Sequence, residues 1–348
     1  MSEPRMTLHA KMLGHGADGE QASVVLESLL MAQVALVLAR LGIPDLIAAG
    51  PRPVASLAAG AGANADALGR VLAAAAVYGL VRRDDAGLYV LTGTGELFRT
   101  DVEGSARNLA AGFLGPPMWM VGSNITEVVT TGKVNPAAPG GLYEHYGKHP
   151  EEALWFGRAM SRVTETMVAE LAASAFRPLA SGRIVDLGGG RGTLLAYLLE
   201  ADPGATGVVF DRAEALAEAP QVLAGAGVSG RAECLPGDFL REVPPGDLYV
   251  LSQVLHNWQD EQVLAVLGNC RKAGRPGNSI LVVELMLPDG PEPSLAHLMD
   301  LIMLTTLGGR ERTRAQHEEL MAEEGYRLVR DTPLARVLPW RILEFQHG

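Results

Sequence analysis

The chain has 348 residues, a length that suits two ordinary domains. With 48% apolar and 20% charged residues it has the composition of a globular protein able to bury a sizeable core. A formal net charge of −11 argues against a nucleic-acid or anionic-membrane partner, because binding to polyphosphate needs clustered Lys and Arg. The two cysteines, Cys234 and Cys270, form no CxxC pair, which excludes a disulfide framework and fits a reducing cytoplasm. Met1 to Ala10 carry no apolar run behind basic residues, so no signal peptide is expected. Gly, Arg or Asp interrupts the apolar stretches, and no membrane-spanning run is expected.

In chain order, Ser23 to Leu46 read as one apolar-rich helix that stops at Gly42-Ile43-Pro44. A short helix at Val54 to Ala59 follows, then a break at Gly60 to Asn64. A helix from Asp66 to about Tyr78 comes next, with Asp66 placed where a carboxylate favours a helix N-terminus. Gly79 ends it. Leu80 to Arg83, a turn at Asp84 to Gly87, and Leu88 to Leu91 read as a hairpin, completing a winged-helix pattern. Such a pattern can bind DNA, but Arg70 is the only basic residue between Asp66 and Tyr78. The first hundred residues carry eight Lys/Arg against nine Asp/Glu, so a structural or dimerisation role is the better reading. The apolar surface of the first helix would then be a partner-chain interface.

Gly115-Pro116-Pro117 and Pro136 to Gly141 are loop signals. A long helix is expected from Pro150 or Glu151 to Ala175. His145 and His149 lie four apart, but Gly147 and Pro150 should disrupt a helix there, and no metal site is expected. From Arg183 the character changes. Short apolar runs at Ile184 to Leu187, Gly207 to Phe210, Ala232 to Leu235, Leu248 to Leu251 and Ile280 to Val283 alternate with helical stretches, which argues for a doubly wound α/β sheet. Tyr326 to Arg330 and Val337 to Phe345 look like a closing pair of strands. The domains expected are residues 1–111, a helical connector at 112–180, and 181–348.

The chemistry concentrates in this last region. Asp186-Leu-Gly-Gly-Gly-Arg-Gly192 follows a strand and opens a helix near Thr193. Its glycines allow a sharp turn and close ligand approach. The spacing is GxGxG, with Thr193 where a dinucleotide fingerprint needs glycine, and no GKS or GKT follows. Both an NAD-dependent dehydrogenase and a P-loop are therefore excluded. The next strand ends in Asp211, where a carboxylate can grip a ribose diol. Asp238 and Phe239 follow the third strand, an acid and an aromatic suited to an adenine amino group and ring. His256 follows the fourth strand, at the edge where open α/β sheets bind ligands. Glu284 ends the fifth strand, and Glu311 lies in a helix-to-helix turn at Gly308 to Thr313.

Asp186 to Gly192, Gly237-Asp238-Phe239, Leu255-His256-Asn257-Trp258 and Gly308 to Thr313 together resemble the S-adenosylmethionine (SAM)-dependent small-molecule O-methyltransferases. That family includes plant caffeate-type enzymes and bacterial polyketide and antibiotic O-methyltransferases. The resemblance covers nearly the whole chain. It implies a Rossmann-like methyltransferase domain behind an N-terminal all-α winged-helix-like dimerisation domain, and hence a homodimer. It further implies SAM bound by Asp186, Gly188, Gly190, Asp211, Asp238, Phe239 and Ser252, with no metal. His256 would be the general base, with Glu284 and Glu311 holding its imidazole. Asn257 stands where the family often has Asp, and Ser252 where it often has Lys. A small aromatic acceptor would meet Trp119, Met160, Met299 and Met303, since Met packs adaptably against rings, together with Asn257 and Asp300. Two rival readings are a relative doing C- or N-methylation or non-methylating chemistry, and a ligand-responsive DNA-binding protein.

Overall fold

The computed structural model describes residues 12, 16–123, 125–133, 141–180, 182–334 and 338–348. The expectations for Met1 to Ala10, for Pro136 to Gly140 and for Val337 lie outside these residues. The chain divides after Pro116 into two compact units.

The first unit opens with α1 (Gly16–Arg40) and α2 (Ile43–Ala48), where one helix was expected. Gly42 adopts a left-handed conformation and separates them, and Pro44 sits in the first turn of α2, where its missing N–H costs nothing. Helix α1 is also long and apolar enough to cross a membrane by length and composition, contrary to the expectation that no stretch reaches that length. Between Glu20 and Arg40 its only charge is Glu27, which is buried and accepts from the Ser23 hydroxyl at 2.9 Å. The buried face of α1 packs Val34 and Leu38 against Ile43, Ile47, Leu57, Leu68 and Leu72. Its outward face leaves Val25, Leu26, Leu29 and Leu30 between 55% and 65% exposed.

Helices α3 (Val54–Ala61) and α4 (Ala65–Val77) follow, then β1 (Val81–Arg83) and β2 (Tyr89–Leu91), paired antiparallel. Asn64 caps α4 by accepting from the Ala67 amide at 3.0 Å, so that helix begins one residue before the acid that marked it in the sequence. After a turn at Gly93–Glu96 comes α5 (Arg107–Phe113).

Helix α6 (Pro116–Gly122) starts on the two prolines expected to form a loop, because the first helical N–H groups have no intrahelical partner to lose. Helices α7 (Ile125–Thr131), α8 (Gly141–Lys148) and α9 (Pro150–Ala173) follow. Helix α8 runs through Gly147, which was expected to break it. The break falls at His149, before Pro150, and the His145 and His149 rings stack with centroids 4.0 Å apart.

A seven-stranded sheet organises the second unit. Its strands are β3 (Arg183–Leu187), β4 (Thr206–Asp211), β5 (Ala232–Pro236), β6 (Leu248–Ser252), β7 (Ser279–Leu285), β8 (Tyr326–Leu334) and β9 (Trp340–His347). Their order is β5-β4-β3-β6-β7-β9-β8. Strands β3 to β7 pair in parallel, whereas β9 runs antiparallel to both β7 and β8. Helices α10 (Thr193–Ala201) and α11 (Ala219–Gly225) follow β3 and β4, α12 (Asp260–Ala273) joins β6 to β7, and α13 (Leu295–Thr306) and α14 (Arg314–Glu323) lie between β7 and β8. Two apolar layers sandwich the sheet. One contains Leu195, Val209, Val250, Leu281 and Trp340, and the other Val185, Tyr249, Leu267, Val282 and Phe345. Alternate residues of each strand therefore face opposite layers, and every residue of β7 is buried. Chain order reverses beside β3, which has β4 on one side and β6 on the other. In open α/β sheets such a reversal is where a ligand crevice lies, outside the carboxyl ends of the strands.

Candidate active site

The crevice is edged first by the loop after β3. Gly188 and Gly190 have φ of +71° and +53°, a region costly for any residue with a Cβ. A Cβ on Gly188 would come within 2.8 Å of the Val254 side chain and 3.7 Å of the Phe239 ring, so this backbone packs closely on Val254 with Phe239 beside it. A Cβ on Gly190 would meet nothing within 4 Å, which leaves open space above the loop.

Asp211, at the end of β4, is oriented by backbone donors: the Gly190 amide at 2.9 Å and the Arg212 amide at 2.7 Å. Burial pushes its carboxyl above the usual range, against those two bonds. Asp186 is fully buried, and its Oδ2 has no hydrogen-bond partner. Burial, with the charge of Asp211 adding to it, raises its carboxyl to about 7. Asp238 is exposed and accepts from the Leu240 amide at 3.0 Å, while Phe239 meets Trp258 edge-on at 5.9 Å. The space over Gly190, the partly satisfied Asp211 carboxylate and the orphaned Asp186 oxygen fit a ligand with a diol and polar arms. The sequence placed all of these residues at one sheet edge, and the structure brings them together there.

The second cluster follows β6. Ser252 is half-buried, with its hydroxyl 3.9 Å from the Met167 sulfur of α9. Gln253 takes a left-handed φ of +56°, rare for a residue with a side chain, and its amide donates to Val283 O at 3.0 Å. The chain then tightens into a 3-10 turn at Leu255–Asn257. His256 is buried. Its Nδ1 lies 2.7 Å from Glu311 Oε1, and its backbone N–H donates to Glu284 Oε1 at 3.0 Å. Glu284 and Glu311 are buried as well. Burial works to lower the His256 pKa, but the Glu311 hydrogen bond and the charges of Glu284 and Glu311 outweigh it and hold the imidazole above its ordinary value. At Glu284 burial is likewise outweighed, by His317 and His256, and the carboxyl is held well below the usual range.

A rigid frame supports this turn. Arg312, fully buried, donates to the Leu255 carbonyl at 3.0 Å, the Trp258 carbonyl at 2.8 Å and Asp260 Oδ1 at 2.6 Å. The Arg310 amide donates to His256 O at 2.9 Å. A Cβ on Gly309 would lie 2.0 Å from that same carbonyl oxygen, so only glycine allows this approach. Asp300 Oδ1 accepts from the Glu311 amide at 2.9 Å, which fixes the backbone of the residue that holds the imidazole. Asn257 Nδ2 donates to Gln253 O at 3.1 Å, a bond that an Asp at this position could not make.

The remaining predicted residues are spread over three helices. Trp119 lies in α6, Met160 in α9, and Met299 and Met303 in α13. Trp119, Met160 and Met299 are half-buried and Met303 is buried. Met299 packs on the same apolar layer as Met167.

Two family profiles match this chain: an O-methyltransferase domain over residues 124–327 and an O-methyltransferase dimerisation domain over residues 25–101. The chain belongs to the O-methyltransferase family. A phenazine O-methyltransferase, PhzM of Lysobacter antibioticus, is 36% identical over 303 residues, covering 86% of this chain and 88% of that protein. An 8-amino-8-demethylriboflavin N,N-dimethyltransferase of Streptomyces davaonensis is 33% identical, covering 91% and 92%. Among solved structures, the O-methyltransferase NcsB1 from neocarzinostatin biosynthesis, in complex with SAM and 2-hydroxy-5-methyl naphthoic acid, aligns with a TM-score of 0.75 at 33% identity. That alignment covers 90% of this chain and 95% of NcsB1.

Three residues that shape the site in this O-methyltransferase were not singled out from the sequence. Gly309 and Arg312 lie inside the quoted Gly308 to Thr313 motif, but nothing in the motif says that they clamp the turn bearing His256. His317, on α14, is buried with Nε2 3.4 Å from Glu284 Oε2, and a lone histidine in a helix gives no sequence signal of that contact.

Proposed function

We propose that this O-methyltransferase moves the methyl group of SAM onto a phenolic hydroxyl of a small aromatic molecule, a bacterial secondary metabolite, with His256 as general base. The observation that carries this reading is the buried 2.7 Å pair of His256 Nδ1 and Glu311 at the carboxyl edge of the sheet.

The sulfonium of SAM supplies an activated methyl group. The protein's task is to hold that group in line with the acceptor oxygen and to take a proton. Asp211 is assigned the ribose hydroxyls, Phe239 and Asp238 the adenine, and Gly188 and Gly190 the close backbone approach. Asp186 and Ser252 border the same ligand. Burial pushes the Glu311 carboxyl up while His256 pulls it down; with the shared proton on Nδ1, the Nε2 lone pair is left for the acceptor. As the carbon–sulfur bond breaks and the carbon–oxygen bond forms, the phenol proton passes to Nε2. Glu311 then steadies the imidazolium. A phenol of pKa about 10 transfers its proton far more readily to this base than to water.

The acceptor is assigned to Trp119, Met160, Met299 and Met303, with Asn257 and Asp300 at its polar edge. Asp300 acts through its bond to the Glu311 amide. The exposed stripe on α1, within the matched dimerisation domain, is assigned to contact with a second copy of the chain.

The test is methyl-labelled SAM offered with a panel of phenols, catechols and hydroxyquinones, read by mass spectrometry. Label on oxygen is expected, with turnover lowered roughly 10²–10⁴-fold in His256→Ala while SAM binding persists. Unchanged turnover in that variant would remove His256 from the chemistry. The N,N-dimethyltransferase relative supports a second reading, transfer to an aromatic amine, which label on nitrogen would establish instead.

A further inference from the structure

Glu284 has two carboxylate oxygens with different neighbours. Oε1 accepts from the His256 amide at 3.0 Å. Oε2 faces His317 Nε2 at 3.4 Å, and neither of these two buried atoms has a hydrogen-bond partner within normal geometry. The His317 side chain is 1% exposed, and the Glu284 side chain is fully buried. A buried imidazole on the inner face of α14 occupies a place that an apolar side chain could fill without any polar cost. The group positioned to compensate that cost is Glu284.

We propose that His317 is a positioning residue of the methyl-transfer site: it holds the Glu284 carboxylate in the orientation in which the other oxygen fixes the His256 backbone. This inference rests on the assignment of His256 as base. Four titratable groups share the buried cluster: His256 from the 3-10 turn, Glu311 from the turn before α14, Glu284 from β7 and His317 from α14. With its Nε2 3.4 Å from Oε2, His317 offsets part of the negative charge that the Glu284 carboxylate places beside the base. Two carboxylates beside one imidazole would otherwise over-stabilise the imidazolium, which cannot accept a proton. His317 thereby limits how far the imidazole is raised and keeps His256 available as a base.

The test uses His317→Phe and His317→Met, which fill the space without a donor, and His317→Gln, whose amide nitrogen can stand where Nε2 stands. Protein carrying nitrogen-15 histidine would be titrated by NMR, with the His256 signal assigned from its loss in His256→Asn. The His256 titration is expected to move to higher pH in the Phe and Met variants by about one unit, a tenfold change, and to return towards the parent value in the Gln variant. Methyl transfer to a phenol accepted in the panel assay should show the same displacement in the acid limb of its rate profile. An unmoved His256 titration in the apolar variants would overturn the proposal while leaving the base assignment intact. A moved titration without a matching change in the rate profile would overturn the base assignment, and with it the catalytic meaning of His317.

Discussion

His256 Nδ1 and Glu311 Oε1 stand 2.7 Å apart although 55 residues separate them in the chain. The contact closes because Gly309 lets one turn lie against the other and Arg312 ties the two together. A surface ion pair is worth little, but this pair is buried, where a hydrogen bond to an ionised partner contributes about 1.5–3 kcal/mol.

The pair sets a pH dependence. The His256 imidazole is held above its ordinary value, mainly by Glu311 working against burial. Below that raised pKa it is an imidazolium and cannot accept the acceptor's proton. Turnover should therefore climb as pH rises through a limb lying above about 6.5, the unperturbed imidazole value. Glu311→Gln removes the strongest upward influence, so the limb should move to lower pH while the maximum rate falls roughly 10²–10⁴-fold, as when a carboxylate orienting a catalytic imidazole is lost. A limb that stays in place in this variant would show that Glu311 does not govern the base.

Gly309→Ala tests the frame without touching an ionisable group. The new Cβ would fall 2.0 Å from the His256 carbonyl oxygen, so the turn must shift. A stability loss of about 1–3 kcal/mol in urea denaturation and a sharp drop in turnover are expected, with SAM affinity little changed. Full activity would mean that the turn tolerates displacement.

Asp211→Asn separates cofactor binding from catalysis. Removing the charge that would accept the ribose hydroxyls should weaken SAM binding about 10–100-fold by titration calorimetry, the equivalent of about 1.5–3 kcal/mol. Substitution here should leave the His256 rate limb where it was at saturating SAM. Undiminished affinity would move the ribose to another residue.

Leu26→Asp combined with Leu30→Asp addresses the exposed face of α1. Both side chains are more than half exposed, so the fold of the unit should persist. Carboxylates in the middle of an apolar contact should drive the protein to a monomer in sedimentation experiments, because the core of an interface excludes charge. An unaltered dimer would place the contact elsewhere on the chain.

The placement of the site residues at the strand ends was legible in the sequence, and the reason is local. Asp186, Gly188, Gly190, Asp211 and His256 each sit at or just past the end of a parallel strand, and hydrophobic periodicity reveals such strands directly. Helix boundaries were less legible. Prolines at 44, 116 and 117 read as stops, yet they begin helices, since proline breaks a helix interior but suits its first turn. Gly147 read as a breaker but lies within α8.

The succession of strands and helices, the glycine loop after β3 and the kinds of side chain at the strand ends were all readable from the residues alone, because they depend on near neighbours in the chain. Packing alone sets which oxygen of Glu284 meets His256 and which faces His317, that Asp300 accepts from the Glu311 amide, and that Arg312 donates to the backbone of the turn bearing His256. Those contacts join residues far apart in the chain, and their energies depend on burial, which is a property of the packed fold and has no local signature.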